Sequence, residues 1–216
     1  MPFLYKWSTE GFRTTKLTLA LPHIPGQSAP PSVLSGPFTY IGRGSQAFVF
    51  GSQDGKYVLK LFRRERQMHP WRKALQGKKA MRKKKKYRCQ YTTCKLAFEK
   101  AKDLTGLIYI HTNRMNKSLP VWIGSQRIDL DRYLFVIQER GTPLKEDLAK
   151  LQRLKTAFVS LVEERVRRGI KNTDPKVSRN FGFCGDRIIE WDFGKYKVDP
   201  TMNPEEEINR FTQFLQ

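Results

Sequence analysis

Cysteine is scarce in this chain: Cys89, Cys94 and Cys184 are the three among 216 residues, too few for a disulfide framework and suited to a reducing compartment. His23, His69 and His111 are the three histidines and stand at no paired spacing, so the cysteines and histidines do not compose a structural zinc site. No uncharged apolar run reaches membrane-spanning length. The N-terminus lacks a compact apolar segment behind a basic start, so it does not read as a signal peptide. A soluble cytoplasmic protein is expected. Negative charge is also short, with 20 acids against 41 Lys or Arg and a net charge of +21. So large an excess implies an anionic partner: nucleic acid, phosphorylated lipid, an acidic protein or a phosphate-rich small molecule.

The basic residues are unevenly spread. Residues 63–88 hold thirteen Lys or Arg against one acid, Glu65, and supply +12 of the net charge. Like charges packed as RKKKKYR repel each other, and a bound polyanion relieves that repulsion. This stretch reads as a basic insertion for a phosphate-rich molecule, RNA or an anionic lipid surface. Aromatic residues within it are sparse, so single-strand base stacking is only weakly suggested.

Residues 1–36 read as an N-terminal extension and a Pro/Ser/Gly-rich linker. From Phe38 the apolar period becomes two. FTYIG, AFVFG and YVLKLF predict three antiparallel strands, with an Asp-Gly turn in SQDGK. A helix is expected at about 91–111, and VWIGSQRIDLDRYLFVIQER reads as two further strands. The clearest helical spacing runs over about 144–168, with Gly169 at its end. Asn203, Pro204 and Glu205–Glu207 open a last helix, whose face Ile208, Phe211, Phe214 and Leu215 suits docking. The expectation is an α+β fold: a five-stranded antiparallel sheet plus helix over 37–141, then a minimal helical part over 142–216.

Three stretches carry candidate chemistry. Gly42-x-Gly44 leads into a hairpin, and a glycine-rich turn there can cover phosphates with backbone N–H groups. GSQDGK within the same stretch is no Walker loop, because it is one residue short and lacks the Ser or Thr after the lysine. Lys60 stands among apolar residues in YVLKLF and needs a helix carboxylate. Between Arg66 and Ile128 the acids are Glu99 and Asp103, and Glu99 is the expected partner. Asp192 in WDFG follows a buried strand with a glycine two residues on, an arrangement suited to holding Mg²⁺ on phosphates. Asp174 follows a helix end and can orient an acceptor hydroxyl, with Asn180 nearby as a ligand to a second metal ion.

In this order the features resemble the protein-kinase-like superfamily over about 38–197. Asp174 lies eighteen residues before DFG and four after Gly169-Ile170, as the catalytic aspartate does in kinases. The resemblance implies a bilobal fold binding ATP and Mg²⁺. Gly42, Gly44 and Ala47 would cover the ATP phosphates, while Lys60 would bind the α/β-phosphates and pair with Glu99. Gln138 and Arg140 would lie in the adenine-contacting hinge through backbone groups. Asp174 would be the base and Asp192 the principal metal ligand, with Asn180 beside it.

The departures bear on activity. Ala47 replaces the third glycine, Asn172-Thr173 replaces His-Arg, and Asn180 is one residue late. Only 22 residues follow Gly194, too few for a helical lobe that docks a peptide. The expected function is an ATP/Mg²⁺-dependent phosphotransferase with a small-molecule, sugar or lipid acceptor. The alternatives are an inactive pseudokinase that binds an anionic partner through its basic insertion, and a basic nucleic-acid-binding protein.

Overall fold

A computed structural model describes residues 11–24, 29–64, 90–174 and 176–213. The basic insertion is thus described only at Arg63 and Arg64, and the reading attached to its remainder lies outside the described residues, as do Phe214 and Leu215. The chain divides into two compact units. One comprises Met1–Thr92 with Tyr109–Ile137, the other Thr93–Ile108 with Gln138–Gln216.

In the first unit, β1 (Phe38–Arg43), β2 (Ala47–Ser52) and β3 (Tyr57–Phe62) form the expected antiparallel meander. Gly55 turns the β2–β3 hairpin at φ 71°, a conformation that glycine adopts without a Cβ penalty. The Asp54 carboxylate accepts the Lys56 N–H at 3.0 Å. One face of the meander is built from Phe48, Phe50, Leu59 and Leu61, all fully buried. Phe12 packs edge-on against Phe48 and Phe50, with centroids 5.1 and 5.0 Å away. Each such side chain contributes roughly 1.5–3 kcal/mol by leaving water.

The sheet is larger than the sequence suggests. Among the described residues it has seven strands, adding β4 (Leu107–His111), β5 (Pro120–Ile123), β6 (Gln126–Asp129) and β7 (Phe135–Glu139). Their order is β4-β7-β3-β2-β1-β5-β6. Two glycines explain the difference from five. Gly106 sits at φ 66° and ends the preceding helix, α1 over 90–105, so that Leu107–His111 becomes a strand and not the last helical turn. Gly124 at φ 57° folds Pro120–Asp129 into its own hairpin. The sheet is also not wholly antiparallel, since β1 meets β5 in parallel at Phe38 and Ile123.

The second unit takes most of α1, then β8 (Thr142–Pro143), α2 (Leu148–Arg153) and α3 (Lys155–Arg167). The single helix expected at 144–168 is therefore a 3-10 turn at Leu144–Glu146 and two helices. Asp147 causes the first break: its carboxylate accepts the Lys150 N–H at 2.7 Å and starts α2 anew. Gly169 stops α3 at φ 70°, its N–H donating to the Val166 carbonyl at 2.8 Å. Then follow β9 (Ile170–Asn172), the single turn α4 (Val177–Asn180), β10 (Phe181–Cys184), β11 (Arg187–Glu190), β12 (Tyr196–Val198) and α5 (Pro204–Thr212).

The Asn203 side chain caps α5 by accepting the Glu206 N–H at 3.2 Å. Asn203→Ala is expected to cost about 1 kcal/mol, read as a lower urea midpoint with an unchanged slope. The buried residues of α5 are Glu207 and Phe211. The expected apolar face is corrected in one respect: Glu207 turns inward, and Ile208 is only partly covered.

Candidate functional site

The first unit aligns two of the sequence-predicted residues, Gly42 and Lys60. Tyr40 faces Phe50 and Gly42 faces Val49, so one extra residue, Ile41, bulges out of β1. Such a bulge shifts everything after it by one position and turns it to the other face. Val49 in turn pairs with Lys60. Gly42, Val49 and Lys60 therefore form one cross-strand row, on the face opposite the buried Phe48 and Leu61. Val49 and Lys60 are each only partly covered, between buried neighbours in their own strands.

Among the described residues, a Cβ added at Gly42 or Gly44 would meet nothing within 4 Å, and neither residue is in the left-handed region. Neither packing among the described residues nor backbone strain requires glycine there. The loop between them and β2 is nevertheless held. Gly44 N–H donates to the Ala47 carbonyl at 2.9 Å, and the Arg63 guanidinium donates to the Gly44 carbonyl at 3.2 Å. Ala47 itself is buried and faces Phe62.

The second unit draws Asp174, Asn180 and Asp192 together. Asn180 is 2 % exposed; its side-chain amide donates to the Asp174 carbonyl at 2.8 Å. Its own carbonyl accepts the Asp192 N–H at 3.2 Å. Asp192 is exposed, and its carboxylate accepts the Gly194 N–H at 3.1 Å, which closes the turn after it. Phe193 is buried and meets Tyr196 edge-on at 6.4 Å. The chain beyond returns to pair β12 with β9, setting Tyr196 opposite Asn172.

Gln138 has a part of its own through its side chain, beside the backbone contact expected of it. It is fully buried, and its side-chain amide donates to the Thr105 carbonyl and, at 3.2 Å, to the Trp191 carbonyl. It thus holds the residue immediately before Asp192. Trp191 is fixed twice more: its indole N–H donates to the Arg179 carbonyl at 2.6 Å, and its ring lies flush on Gly182. Arg140 is exposed. Glu99 is on the exposed side of α1, 3.7 Å from Lys95 one turn earlier. Asp103, the other acid of that helix, is engaged by the Arg168 guanidinium at 2.6 and 2.8 Å, which lowers its pKa.

The sequence reading missed a buried ionic cluster next to Asp174. Arg165, Glu190 and Glu207 are almost wholly inaccessible. Arg165 Nε lies 3.0 Å from Glu190 and its Nη1 2.9 Å from Glu207. Burial works against the Arg165 charge, and Glu190, Tyr196 and Glu207 outweigh it, so its pKa is raised. The available signals were Arg165 on the apolar stripe of α3 and Glu190 ending the apolar run of RIIEW, since a charge at a core position needs a partner.

Among the described residues, no three or more His, Cys, Asp or Glu side chains gather as a metal-ion cluster. No helix among them is long and apolar enough to cross a membrane.

Neither a protein-family model nor a curated protein matches the chain. Its structure is similar to that of WbdD, described as a bifunctional kinase-methyltransferase, with TM-score 0.47 and 14% identity, covering 79% of this chain and 35% of that one. It is similar to the ROP18 kinase domain in complex with AMP-PNP and sucrose, with TM-score 0.40 and 17% identity over 76% of this chain and 52% of that one. It is also similar to the Legionella pneumophila kinase Lpg2603 bound to IP6, with TM-score 0.33 and 15% identity over 82% and 56%. The chain thus spans between 35% and 56% of the length of these structures. At such distance neither a family nor any residue's role is carried across.

Proposed function

We propose that the chain is a phosphotransferase that uses ATP and Mg²⁺ and passes the γ-phosphoryl group to a hydroxyl of a small acceptor, sugar or lipid. The observation that carries this reading is the double attachment of Asn180, by its amide to Asp174 and by its carbonyl to Asp192. An aspartate for the acceptor and an aspartate for the metal are thereby held by one buried residue, eighteen positions apart in sequence.

In the reaction the acceptor hydroxyl oxygen attacks Pγ, and the bond from Pγ to the bridging oxygen breaks. ADP leaves with that electron pair, and the hydroxyl proton passes to the Asp174 carboxylate. Lys60 would neutralise phosphate charge, and the Gly42–Gly44 backbone would supply N–H groups to the phosphates. The absence, among the described residues, of any near neighbour for a Cβ at either glycine supports this use. The exposed carboxylate of Asp192 offers the hard oxygen that Mg²⁺ prefers. When bound, the ion neutralises charge on the phosphates. Asn180, occupied with the Asp174 carbonyl, is assigned the holding role.

Thermal denaturation with Mg²⁺ and ATP tests the reading. A ligand at a hundredfold its Kd stabilises the folded state by about 2.7 kcal/mol, and this gain is expected for the wild type and lost in Lys60→Ala and Asp192→Ala. Gly42→Ala and Gly44→Ala should leave unliganded stability within about 0.5 kcal/mol yet weaken the Mg·ATP shift. A wild type indifferent to Mg·ATP would refute the proposal.

A further inference from the structure

The kinase-like pattern has His-Arg before its catalytic aspartate, and this chain has Asn172-Thr173. On sequence alone that substitution reads as a loss of support. Four hydrogen bonds converge on Asn172 instead. Its side-chain amide donates to Glu190 at 2.6 Å, and its backbone N–H donates to Glu207 at 3.1 Å. Its backbone carbonyl accepts from the Arg210 guanidinium. Its side-chain oxygen accepts the Asp174 N–H at 2.9 Å. Asn172 is fully buried, so no water competes for these positions.

The donors and acceptors are themselves linked to one another. Arg165 joins Glu190 to Glu207 and also donates to the Ile170 carbonyl at 3.0 Å. Arg210 joins Glu207, and the Tyr196 hydroxyl donates to Glu190 at 2.7 Å. Two guanidinium groups thus face two carboxylates, and Phe211 lies beneath both guanidinium groups at 4.5 and 5.1 Å. A cluster of this kind is a poor way to gain stability alone, because apolar side chains of the same volume would do as well or better. What apolar residues cannot supply is a set of directed hydrogen bonds around one asparagine.

We infer that the Arg165–Glu190–Glu207–Arg210 cluster, acting through Asn172, is the positioning device for Asp174, and that it makes the C-terminal helix α5 part of the catalytic loop's support. The catalytic meaning rests on the proposed role of Asp174. The positioning itself does not. Asn172 is a positioning residue that touches Asp174 only through its backbone N–H.

The test uses the full chain with three variants, each checked for folding by circular dichroism: Asn172→Leu, Asn172→Asp and Arg210→Met. Three quantities are measured: hydrogen exchange at Thr173 and Asp174, Kd for Mg·ATP, and turnover of ATP to ADP with water as acceptor. In Asn172→Leu, exchange at Asp174 should accelerate and turnover fall about tenfold or more, with Kd within about threefold of wild type. Arg210→Met removes one grip at the edge of the cluster and should show the same changes, smaller. Asn172→Asp keeps the acceptor for Asp174 but sets a carboxylate against Glu190. Two carboxylates sharing a site retain a proton between them at lower pH, so this variant should recover turnover as pH falls while Asn172→Leu does not.

Unaltered exchange at Thr173 and Asp174 in a folded Asn172→Leu, or in Arg210→Met should the first variant not fold, overturns the inference. A wild type that does not bind Mg·ATP overturns the proposed function instead, and the exchange measurement then decides the positioning alone.

Discussion

Arg165→Ala is expected to be the costliest single substitution in the second unit, at about 3–5 kcal/mol. The guanidinium is fully buried and faces Glu190 at 3.0 Å and Glu207 at 2.9 Å. Truncation leaves both carboxylates in the interior, with Arg210 as their remaining cation, bonded to Glu207. A mere loss of packing would cost less and would not depend on pH.

The ionic origin fixes the sign of the pH dependence. Burial pushes the Glu190 carboxyl up, while Arg165, Asn172 and Tyr196 pull it back. A raised folded-state pKa means that the native protein holds the proton more tightly than the unfolded chain. The associated stability is present below the unfolded value and is lost as pH rises through the folded one. Deleting Arg165 removes the largest opposing influence and raises Glu190 further. Urea denaturation at about pH 5 and about pH 8 should therefore show a larger deficit for the variant at the higher pH. An equal deficit at both would show that Arg165 acts by its volume and not by its charge.

Gly182→Ala carries the second large effect. The added Cβ would lie 2.0 Å from the Trp191 ring and 2.6 Å from the Thr142 carbonyl. The carbonyl belongs to the β8–β10 ladder, where Gly182 faces Pro143 and Phe183 faces Thr142, so it has little room to yield. The indole must swing away. That motion breaks its hydrogen bond to the Arg179 carbonyl and pulls on the Trp191 carbonyl held by Gln138. Overpacking of this kind costs about 1–3 kcal/mol, measured as a lower thermal midpoint. Because Asp192 is the next residue, the Mg·ATP shift should shrink with it. Retention of the full midpoint would mean that the indole finds another seat at no cost.

The legible parts of this protein were those that local chemistry decides. The period-two runs and the Asp-Gly turn gave the β1–β2–β3 meander, and Asn203 with Pro204 gave the start of α5. Gly169 marked the end of α3. The errors came from glycines whose backbone state a sequence does not display. Gly106 and Gly124 adopt positive φ, and each converts an apolar run from one element into two. Asp147 did the same to the long helix by capping a second start within an unbroken apolar spacing.

For the candidate site the division is similar. Residue types and order gave Lys60, Asp174 and Asp192 their resemblance to a kinase-like series, in which they would serve phosphate, hydroxyl and metal. Tertiary structure decided how they are held. The bulge at Ile41 puts Gly42 in the same row as Val49 and Lys60, a matter of cross-strand register. Asn180 joins Asp174 to Asp192 through one amide and one carbonyl. The substitution of Asn172-Thr173 for His-Arg looked like a deficit when only neighbours in sequence were considered. Its supports, Arg165, Glu190, Glu207 and Arg210, come from three separate elements, and only the packed fold brings Glu190, Glu207 and Arg210 within hydrogen-bonding reach of one asparagine and sets Arg165 against both carboxylates.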